Sequence, residues 1–326
     1  RVIDFTRYDL PAKEPTGATP KHPIKDWSLM NVINQKGTRP QDSPKLLSEL
    51  DLESQEMIYA HYPELREESL KEPRDTKTPA DYVNPTMGNI SHILVPTFPT
   101  VHLPGGMLRI TPERYDATEE FLTGLPVIVT SHRGSSAFTI SPSSGPESSV
   151  IERMRYDNEH IHPYSYEADV ADGNIHVKFA PAEQSAIYEL AFREGEQPSV
   201  SLRSRNGSVH SVGDGFAGEQ SLNDKVKVYM YMETDVKPVS ARPLSDRARA
   251  SSLRLVFPKG TKSVSIRYGV SFISEEQARL NLLREQEGFD LKGLTDKAKR
   301  TWNEALGKIM VHGGTEDERT VFYTSF

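Results

Sequence analysis

The sequence predicts a mainly β protein: a large, supersandwich-like antiparallel β-sandwich with an irregular or helical N-terminal extension and C-terminal linker helices. Three observations support this fold class. Residues 81–272 contain repeated stretches in which apolar and polar residues alternate, as they do in half-buried antiparallel strands. Turn-forming residues separate these stretches, and no strand pattern alternates with a helical one, so a parallel α/β sheet is not expected. From residue 273 onward the apolar period becomes helical.

Residues 1–80 form the predicted N-terminal extension, in which proline recurs throughout. One helix is expected there, because Ser43 can cap it and Pro44 suits the first helical position. Its apolar face would consist of Leu46, Leu47, Leu50 and Met57. Two interpretations stay open for the rest of the extension: an arm or linker that wraps over another part of the protein, or a poorly ordered tail.

The strands of the 81–272 domain are predicted from period-2 alternation. Ile175, Val177 and Phe179 share one face of a strand, while His176 and Lys178 share the other. The same alternation predicts strands at 226–232, 253–257 and 264–270. Turns are predicted at Asp172-Gly173-Asn174, Asn206-Gly207 and Lys259-Gly260.

Residues 273–326 form the predicted helical linker. Ser274 with Gln277 is typical of a capping box, and Gly288 is the predicted stop of that first helix. A second helix carries an apolar stripe, and Thr315 with Glu318 predicts the start of a third. The stripe consists of Ala298, Trp302, Ala305, Leu306 and Ile309. Because the sequence stops within about three turns of the third cap, we expect it to be the N-terminal part of a larger protein.

The composition excludes several functional classes. The 326 residues carry 39 Lys and Arg against 46 Asp and Glu, a net charge of -7 without a basic block, which disfavours nucleic acid as a partner. No apolar run is close to the roughly 18 residues that span a membrane. The absence of cysteine excludes disulfide scaffolds and thiolate metal sites. The first residue is Arg, so any targeting signal is expected to have been removed.

Two short motifs are weak indications of function. Residues 213–218 (GDGFAG) match the dinucleotide pattern G-x-G-x-x-G, but that motif needs a following helix, and the next predicted element is a strand at Val226. We therefore expect a glycine-rich loop. His160 and His162 would lie on the same side of a strand and could share a metal ion. Because Pro163 follows at once and no third ligand is obvious, a structural pair is favoured.

Three segments resemble glycoside hydrolase family 92. The first is 81–88 (DYVNPTMG) followed by 98–114 (FPTVHLPGGMLRITPER), similar to the opening of the family's sequences. The second is Asn158-Glu159 with Pro163-Tyr164. The third comprises 274–281 (SEEQARLN), Trp302-Asn303 and 322–325 (FYTS). These segments extend over most of 81–326 and leave residues 1–80 outside the resemblance.

The resemblance implies an inverting, calcium-dependent exo-α-mannosidase that acts on a mannose-containing glycan and is periplasmic or secreted. In that family a β-sandwich and a helical linker precede a six-hairpin α/α barrel, and the barrel carries the catalytic acid, the catalytic base and the calcium ligands. The partner implied for this chain is therefore its own C-terminal catalytic domain. By itself the chain is expected to be inactive, without catalytic or metal-binding residues. The alternative is a non-catalytic carbohydrate-binding or interaction module on the same sandwich.

The resemblance also implies substrate-binding residues in the loops that would cover the barrel. Sugar recognition uses planar donors, imidazoles and aromatic faces. The candidates of those types are Phe98, His102, Arg109, Arg114, His132 and Arg133. We expect His102, Arg114 and His132 to meet at one exposed edge of the sandwich. The competing interpretation is that each is a separate surface or structural residue.

The sequence departs from the family pattern in this region: Thr100 stands where the family has Gly, Gly105 where it has Phe, and Arg109 where it has Gln. These positions are expected to face sugar, so the linkage that the protein cleaves stays open.

Overall fold

The structure is a computed structural model. It describes residues 2–4, 56–57, 59–60, 63, 77–90, 96–114, 118–131, 136–144, 153–172, 174–193, 197–244 and 251–326. The chain divides into two units, one made of residues 1–82 with 304–326 and a larger one of residues 83–303. The helix predicted after Ser43 lies outside the described residues, apart from short pieces near Met57.

In chain order the elements are β1 (Val2–Asp4), α1 (Pro79–Tyr82), β2 (Val101–His102), β3 (Arg109–Ile110), β4 (Phe121–Leu122), β5 (Leu125–Val129), β6 (Ser136–Ser143), β7 (Met154–His162), β8 (Ser165–Val170), β9 (Ile175–Pro181), β10 (Ser185–Phe192), β11 (Ser199–Ser204), β12 (Gly207–Val212), β13 (Gly215–Ser221), β14 (Lys227–Thr234), β15 (Ser240–Leu244), β16 (Ser251–Val256), β17 (Ser263–Ser271), α2 (Glu275–Glu285), α3 (Leu291–Leu306), β18 (Met310–His312) and α4 (Glu316–Ser325).

Two antiparallel sheets build the larger unit, which confirms the predicted sandwich. The nine-stranded sheet has the order β12-β13-β14-β17-β10-β9-β8-β7-β4, and the five-stranded sheet has the order β15-β16-β11-β6-β5. Apolar side chains from the facing sides of both sheets form one core, because strands with period-2 patterns present one apolar face each. Short strands β2 and β3 form a separate hairpin.

The predicted alternation holds best in β9. Ile175, Val177 and Phe179 are buried in the core, whereas His176 and Lys178 on the other face are half-buried. In β16 the expectation of a half-buried strand is wrong, since Arg254 is only 3% exposed. Arg254 tolerates that burial in part because its guanidinium donates a hydrogen bond to Ser199 Oγ at 3.1 Å.

The glycine-rich segment 213–218 is the end of a hairpin, and the loop expected there is wrong from Gly215 onward, where β13 begins. A strand forms despite the glycines because they permit close approach. A Cβ on Gly218 would lie 2.5 Å from Ser208 O, and one on Gly215 would lie 2.6 Å from the Tyr231 hydroxyl. Strand β14 follows rather than a helix, so the context of a dinucleotide site is absent from this described segment.

One buried amide side chain joins the two sheets. Gln220 lies on β13 of the nine-stranded sheet and is 5% exposed. Its Oε1 accepts hydrogen bonds from the backbone N–H of Phe138 on β6 and of Arg205 after β11, both at 3.1 Å. Its Nε2 donates to Ser136 O at 3.4 Å. Phe138 has a φ of 54°, which turns its N–H out of the regular ladder and toward Gln220.

The linker helices begin where the sequence predicts. Ser274 caps α2 by accepting a hydrogen bond from Gln277 N at 3.0 Å. The capping box is only half formed, because the Gln277 side chain donates to Asn281 instead of returning to the cap. The helix ends at Glu285, before the predicted stop at Gly288. Its buried residues Ala278 and Leu282 pack on the nine-stranded sheet.

The smaller unit contains the last predicted helix and a parallel strand pair. Strand β1 pairs with β18 in parallel. Thr315 and Glu318 form the predicted capping box at the start of α4. The rings of Tyr82 and Tyr323 stack with centroids 5.9 Å apart, and the Tyr323 hydroxyl accepts a hydrogen bond from Val311 N at 3.1 Å. Among the described helices, none is long and apolar enough to cross a membrane.

Candidate functional site

The three sequence segments singled out above meet at His102 on the short hairpin β2–β3. The backbone N–H of His102 donates a hydrogen bond to Pro163 O at 3.0 Å. The backbone carbonyl of His102 accepts a hydrogen bond from Trp302 Nε1 at 2.7 Å. Residues that are far apart in the sequence are therefore fixed at one place by two bonds to a single residue, and the hairpin is held against both the β7–β8 turn and helix α3.

The imidazole of His102 is half-buried beside the indole of Trp302, with ring centroids 5.4 Å apart. Its Nδ1 lies 3.0 Å from Leu103 O. Burial lowers the pKa of His102 below its ordinary value, and the positive charge of Arg109 lowers it further, although the contact with Leu103 O opposes both. The ring is therefore neutral at pH 7, a state in which one nitrogen donates a hydrogen bond and the other accepts one.

Arg109 lies directly opposite His102 in the β2–β3 pairing. Its Nε donates a hydrogen bond to Val129 O at 3.2 Å, at the end of β5. This bond orients the planar guanidinium at the start of the segment that follows β5. Two predicted site residues, His132 and Arg133, belong to that segment but lie outside the described residues. Their role in binding stays a prediction.

The turn between β7 and β8 adds aromatic and charged groups next to the hairpin. The rings of His162 and Tyr164 stack with centroids 5.2 Å apart and planes 6° apart. The ammonium of Lys299 on α3 lies 5.6 Å from the centroid of the Tyr164 ring. Sequence reasoning did not name Tyr164, Lys299 or Trp302 as site residues, although Pro163-Tyr164 and Trp302 were part of the resemblance.

Arg114 is placed in an internal network rather than on the hairpin. Its side chain is 7% exposed and donates hydrogen bonds to the Tyr156 hydroxyl at 2.7 Å and to Glu159 Oε2 at 3.0 Å. The Tyr166 hydroxyl donates to the other oxygen of Glu159 at 3.2 Å. Burial is the main cause that raises the pKa of Tyr166 well above its usual value, so its hydroxyl stays a donor.

The remaining candidates are Phe98 and the histidine pair on β7. Phe98 is half-buried in the segment that leads into β2. His160 and His162 lie on one strand at the predicted spacing, and His162 stacks on Tyr164. Within the described ranges, no group of three or more His, Asp or Glu side chains is arranged to hold a metal ion.

The hairpin β2–β3 with its neighbours forms a wall of imidazole, guanidinium, phenol and ammonium groups. We call this set of residues the hairpin wall: His102, Arg109, His162, Tyr164, Lys299 and Trp302. Such groups donate and accept hydrogen bonds, which suits a polyhydroxylated ligand. The Tyr164 ring is 6% exposed and packs against His162 and Lys299, so it supports the wall from behind. Rigid strands and a helix position them, so they need little ordering when a ligand binds.

Comparison with family models matches three consecutive parts of the sequence. Residues 82–271 match the model described as the glycosyl hydrolase family 92 N-terminal domain. Residues 277–326 match the model described as the glycosyl hydrolase family 92 catalytic domain. Residues 1–65 match a model described as a domain of unknown function with a solved structure, DUF3864. A comparison with curated protein sequences gives no match.

Several solved structures share this fold. The family GH92 inverting mannosidase BT2199 from Bacteroides thetaiotaomicron VPI-5482 matches 77% of this chain with a TM-score of 0.70 and 24% identity. The family GH92 alpha-mannosidase BT3965 from Bacteroides thetaiotaomicron matches 77% with a TM-score of 0.66 and 20% identity. The chain covers 39% and 40% of those two structures, so it spans about two fifths of their length. BT3965 has also been solved in complex with mannoimidazole.

Proposed function

This chain belongs to glycosyl hydrolase family 92, whose N-terminal-domain model matches residues 82–271, and from that premise we propose that it serves an α-mannosidase. In this proposal the sandwich is the non-catalytic part of the enzyme. The hairpin wall forms one side of the sugar pocket, and the catalytic domain, to whose model residues 277–326 are similar, forms the rest. The ligand is a mannose-containing glycan, and the partner of the sandwich is its own catalytic domain.

The observation that carries the proposal is the junction at His102. The hydrogen bonds to Pro163 O and from Trp302 Nε1 fix the hairpin against α3, a helix within the segment that is similar to the catalytic-domain model. A pocket wall needs this rigidity, because a group displaced by about 1 Å loses much of its effect on the reaction. The neutral imidazole of His102 and the guanidinium of Arg109 would then orient sugar hydroxyls.

The reaction that this arrangement would serve is hydrolysis with inversion. A protonated carboxyl group donates its proton to the glycosidic oxygen, and a carboxylate on the opposite face of the ring activates water, with the two groups about 6.5–9.5 Å apart. In the proposal both groups belong to the catalytic domain. The proposed role of this chain is to bind and orient the sugar and to exclude water from one side of the pocket.

Calcium is part of the proposal, and within the described residues no group of three or more His, Asp or Glu side chains is arranged to hold it. As the family resemblance implies, we propose that the catalytic domain binds calcium with ligands outside this chain, and no step of the reaction is assigned to it. Periplasmic or secreted location is likewise proposed. Cell fractionation of the producing organism, with an antibody against residues 83–303, tests that location.

The proposed activity is tested on the complete enzyme with aryl α-mannosides and α-linked mannobioses. We expect release of mannose whose first-formed anomer, followed by NMR, is inverted. His102→Ala is expected to raise KM and lower kcat/KM about tenfold or more, as expected when a hydrogen bond to the sugar is lost. Tyr229→Phe is the control, because no hydrogen bond of the Tyr229 hydroxyl occurs in the described structure. Binding of mannosides without any turnover would replace this proposal with the carbohydrate-binding module.

A further inference from the structure

A cleft of about 470 Å³ lies on the outer face of the nine-stranded sheet, where the first turn of α3 approaches β8, β9 and β10. This volume is within the range of about 300–1,000 Å³ that is typical of small-molecule sites. The cleft belongs wholly to residues 83–303. It does not include the hairpin wall, so it is a separate candidate for ligand binding.

A row of alternating charges crosses the floor of the cleft. Lys178 on β9 is paired in register with Glu167 on β8 and with Glu189 on β10. Residues directly opposite each other on antiparallel strands have Cβ atoms about 5 Å apart, so all three side chains enter the same space. Phe289 and Leu291 line the cleft on the side of α3 and supply an apolar surface.

Most charged groups of the cleft already have partners. Glu167 contacts His176 Nε2 at 3.0 Å, and Asp296 accepts a hydrogen bond from Lys292 at 2.8 Å. Asp290 accepts one from Gly293 N at 2.9 Å and so caps α3. Lys178 and Glu189 differ: neither has a side-chain hydrogen bond or ion pair anywhere in the described structure. The cleft therefore holds one free donor and one free acceptor on adjacent strands.

The charges in the lining restrict the ligand. Four carboxylates line the cleft against two ammonium groups, so an anion would be repelled. A ligand with neighbouring hydroxyl groups fits both free side chains, since one hydroxyl accepts from Lys178 while another donates to Glu189. Its C–H face would pack on Phe289 or Leu291. We propose that this cleft is a binding site for a neutral saccharide unit.

The test uses the complete 326-residue chain with methyl α-mannoside as the probe, followed by saturation-transfer difference NMR. We expect binding, and we expect Lys178→Met and Glu189→Gln each to weaken it about tenfold, as for a lost hydrogen bond to a charged group. Glu189→Gln is isosteric, so it decides the matter if the lysine variant does not fold. The unfolding midpoint of each variant is measured alongside.

One control separates the cleft from other causes. Lys227→Met removes a lysine of β14 that pairs with Glu219 on β13, outside the cleft. This variant should leave the binding unchanged. Absence of mannoside binding, or binding that is lost in His102→Ala and kept in both cleft variants, would overturn the proposal. Preferential binding of glycine, a zwitterion, would also overturn it. None of these outcomes depends on hydrolysis, so the proposed enzymatic function is tested independently.

Discussion

At the scale of single residues, the burial of the His102 imidazole makes the free energy of unfolding depend on pH. In the unfolded chain its pKa has the ordinary value of 6.5, and in the folded chain burial lowers it. The unfolded state therefore binds more protons as the pH falls below 6.5. The stabilisation linked to neutral His102 is fully present above that pH and is lost as the pH falls through the lowered pKa.

We therefore expect the free energy of unfolding to decrease from pH 7 to pH 5 more steeply in the unaltered chain than in His102→Gln, which cannot titrate there. Urea unfolding at each pH measures both slopes. Other histidines are common to the two proteins, so their contributions cancel in the difference. Equal slopes would show that His102 is not buried in the way described.

A second prediction at this scale concerns the hydrogen bond that the indole of Trp302 donates. Trp302→Phe keeps an aromatic ring but removes the donor to His102 O, a bond of 2.7 Å, and leaves that carbonyl without its partner. The expected loss is about 1–3 kcal/mol in the free energy of unfolding. Tyr229→Phe, which removes a polar atom that has no described hydrogen bond, should cost much less. A similar cost for both variants would contradict the assigned bond.

The sequence identified residues with suitable side-chain chemistry more readily than it identified the residues that those side chains contact. His102 and Arg109 were selected as sugar-binding candidates, and the structure places them opposite each other in one hairpin. Arg114 was selected for the same chemistry, yet it pairs with Glu159, 45 residues further along the chain. Tyr164 and Lys299 were missed for the same reason, since a contact between a strand turn and a later helix leaves no pattern in local sequence.

At the scale of elements, the docking of α2 on the nine-stranded sheet depends on the absence of one side chain. A Cβ on Gly269 of β17 would lie 2.2 Å from Ala278 O and 2.8 Å from Leu282 N, both backbone atoms of α2. Backbone atoms cannot move aside singly, so the whole helix would have to shift away from the sheet. The buried contacts of Ala278 and Leu282 would then be lost.

Gly269→Ala is therefore expected to lower the free energy of unfolding by about 2 kcal/mol or more, in the range of overpacked cores. Gly288→Ala is the matched control, because a Cβ there meets nothing within 4 Å. Thermal unfolding of both variants measures the difference. If Gly269→Ala unfolds at the same temperature as Gly288→Ala, α2 does not pack as closely as described.

Strands with regular alternation could be predicted, and strands with glycine could not. The pattern of β9 identified both its position and its buried face. Strand β13 was missed because Gly215 and Gly218 are typical of loops, whereas here they permit contacts with Tyr231 and Ser208 that no local pattern encodes. The half-formed capping box of α2 has a similar cause, since Asn281 competes for the side chain of Gln277.

At the scale of the whole molecule, the sandwich was predictable because composition and period-2 patterns determine that two apolar faces must cover each other. The order of strands was not. Strand β17 pairs with β10 on one side and β14 on the other, partners separated from it by long stretches of chain. Such pairings depend on register and packing across the sheet rather than on sequence-local signals.

A further prediction at the scale of the whole molecule concerns the effect of removing calcium. In the proposal the calcium ligands lie outside this chain, so a chelator such as EGTA should leave the unfolding midpoint of this chain unchanged. In the complete enzyme the same chelator is expected to abolish mannoside hydrolysis, and added calcium to restore it. A fall in the midpoint of the isolated chain would assign the metal to these 326 residues.

The bonds of Gln220 have a kinetic consequence. The amide hydrogen of Phe138 is held by an acceptor on the opposite sheet rather than by a neighbouring strand. An ordinary strand amide can exchange its hydrogen with solvent when one edge frays, whereas this one is released only when the sheets part. In deuterated water it should be among the slowest amides of the domain, with an exchange rate that follows global unfolding. That rate would therefore report how often the whole sandwich opens.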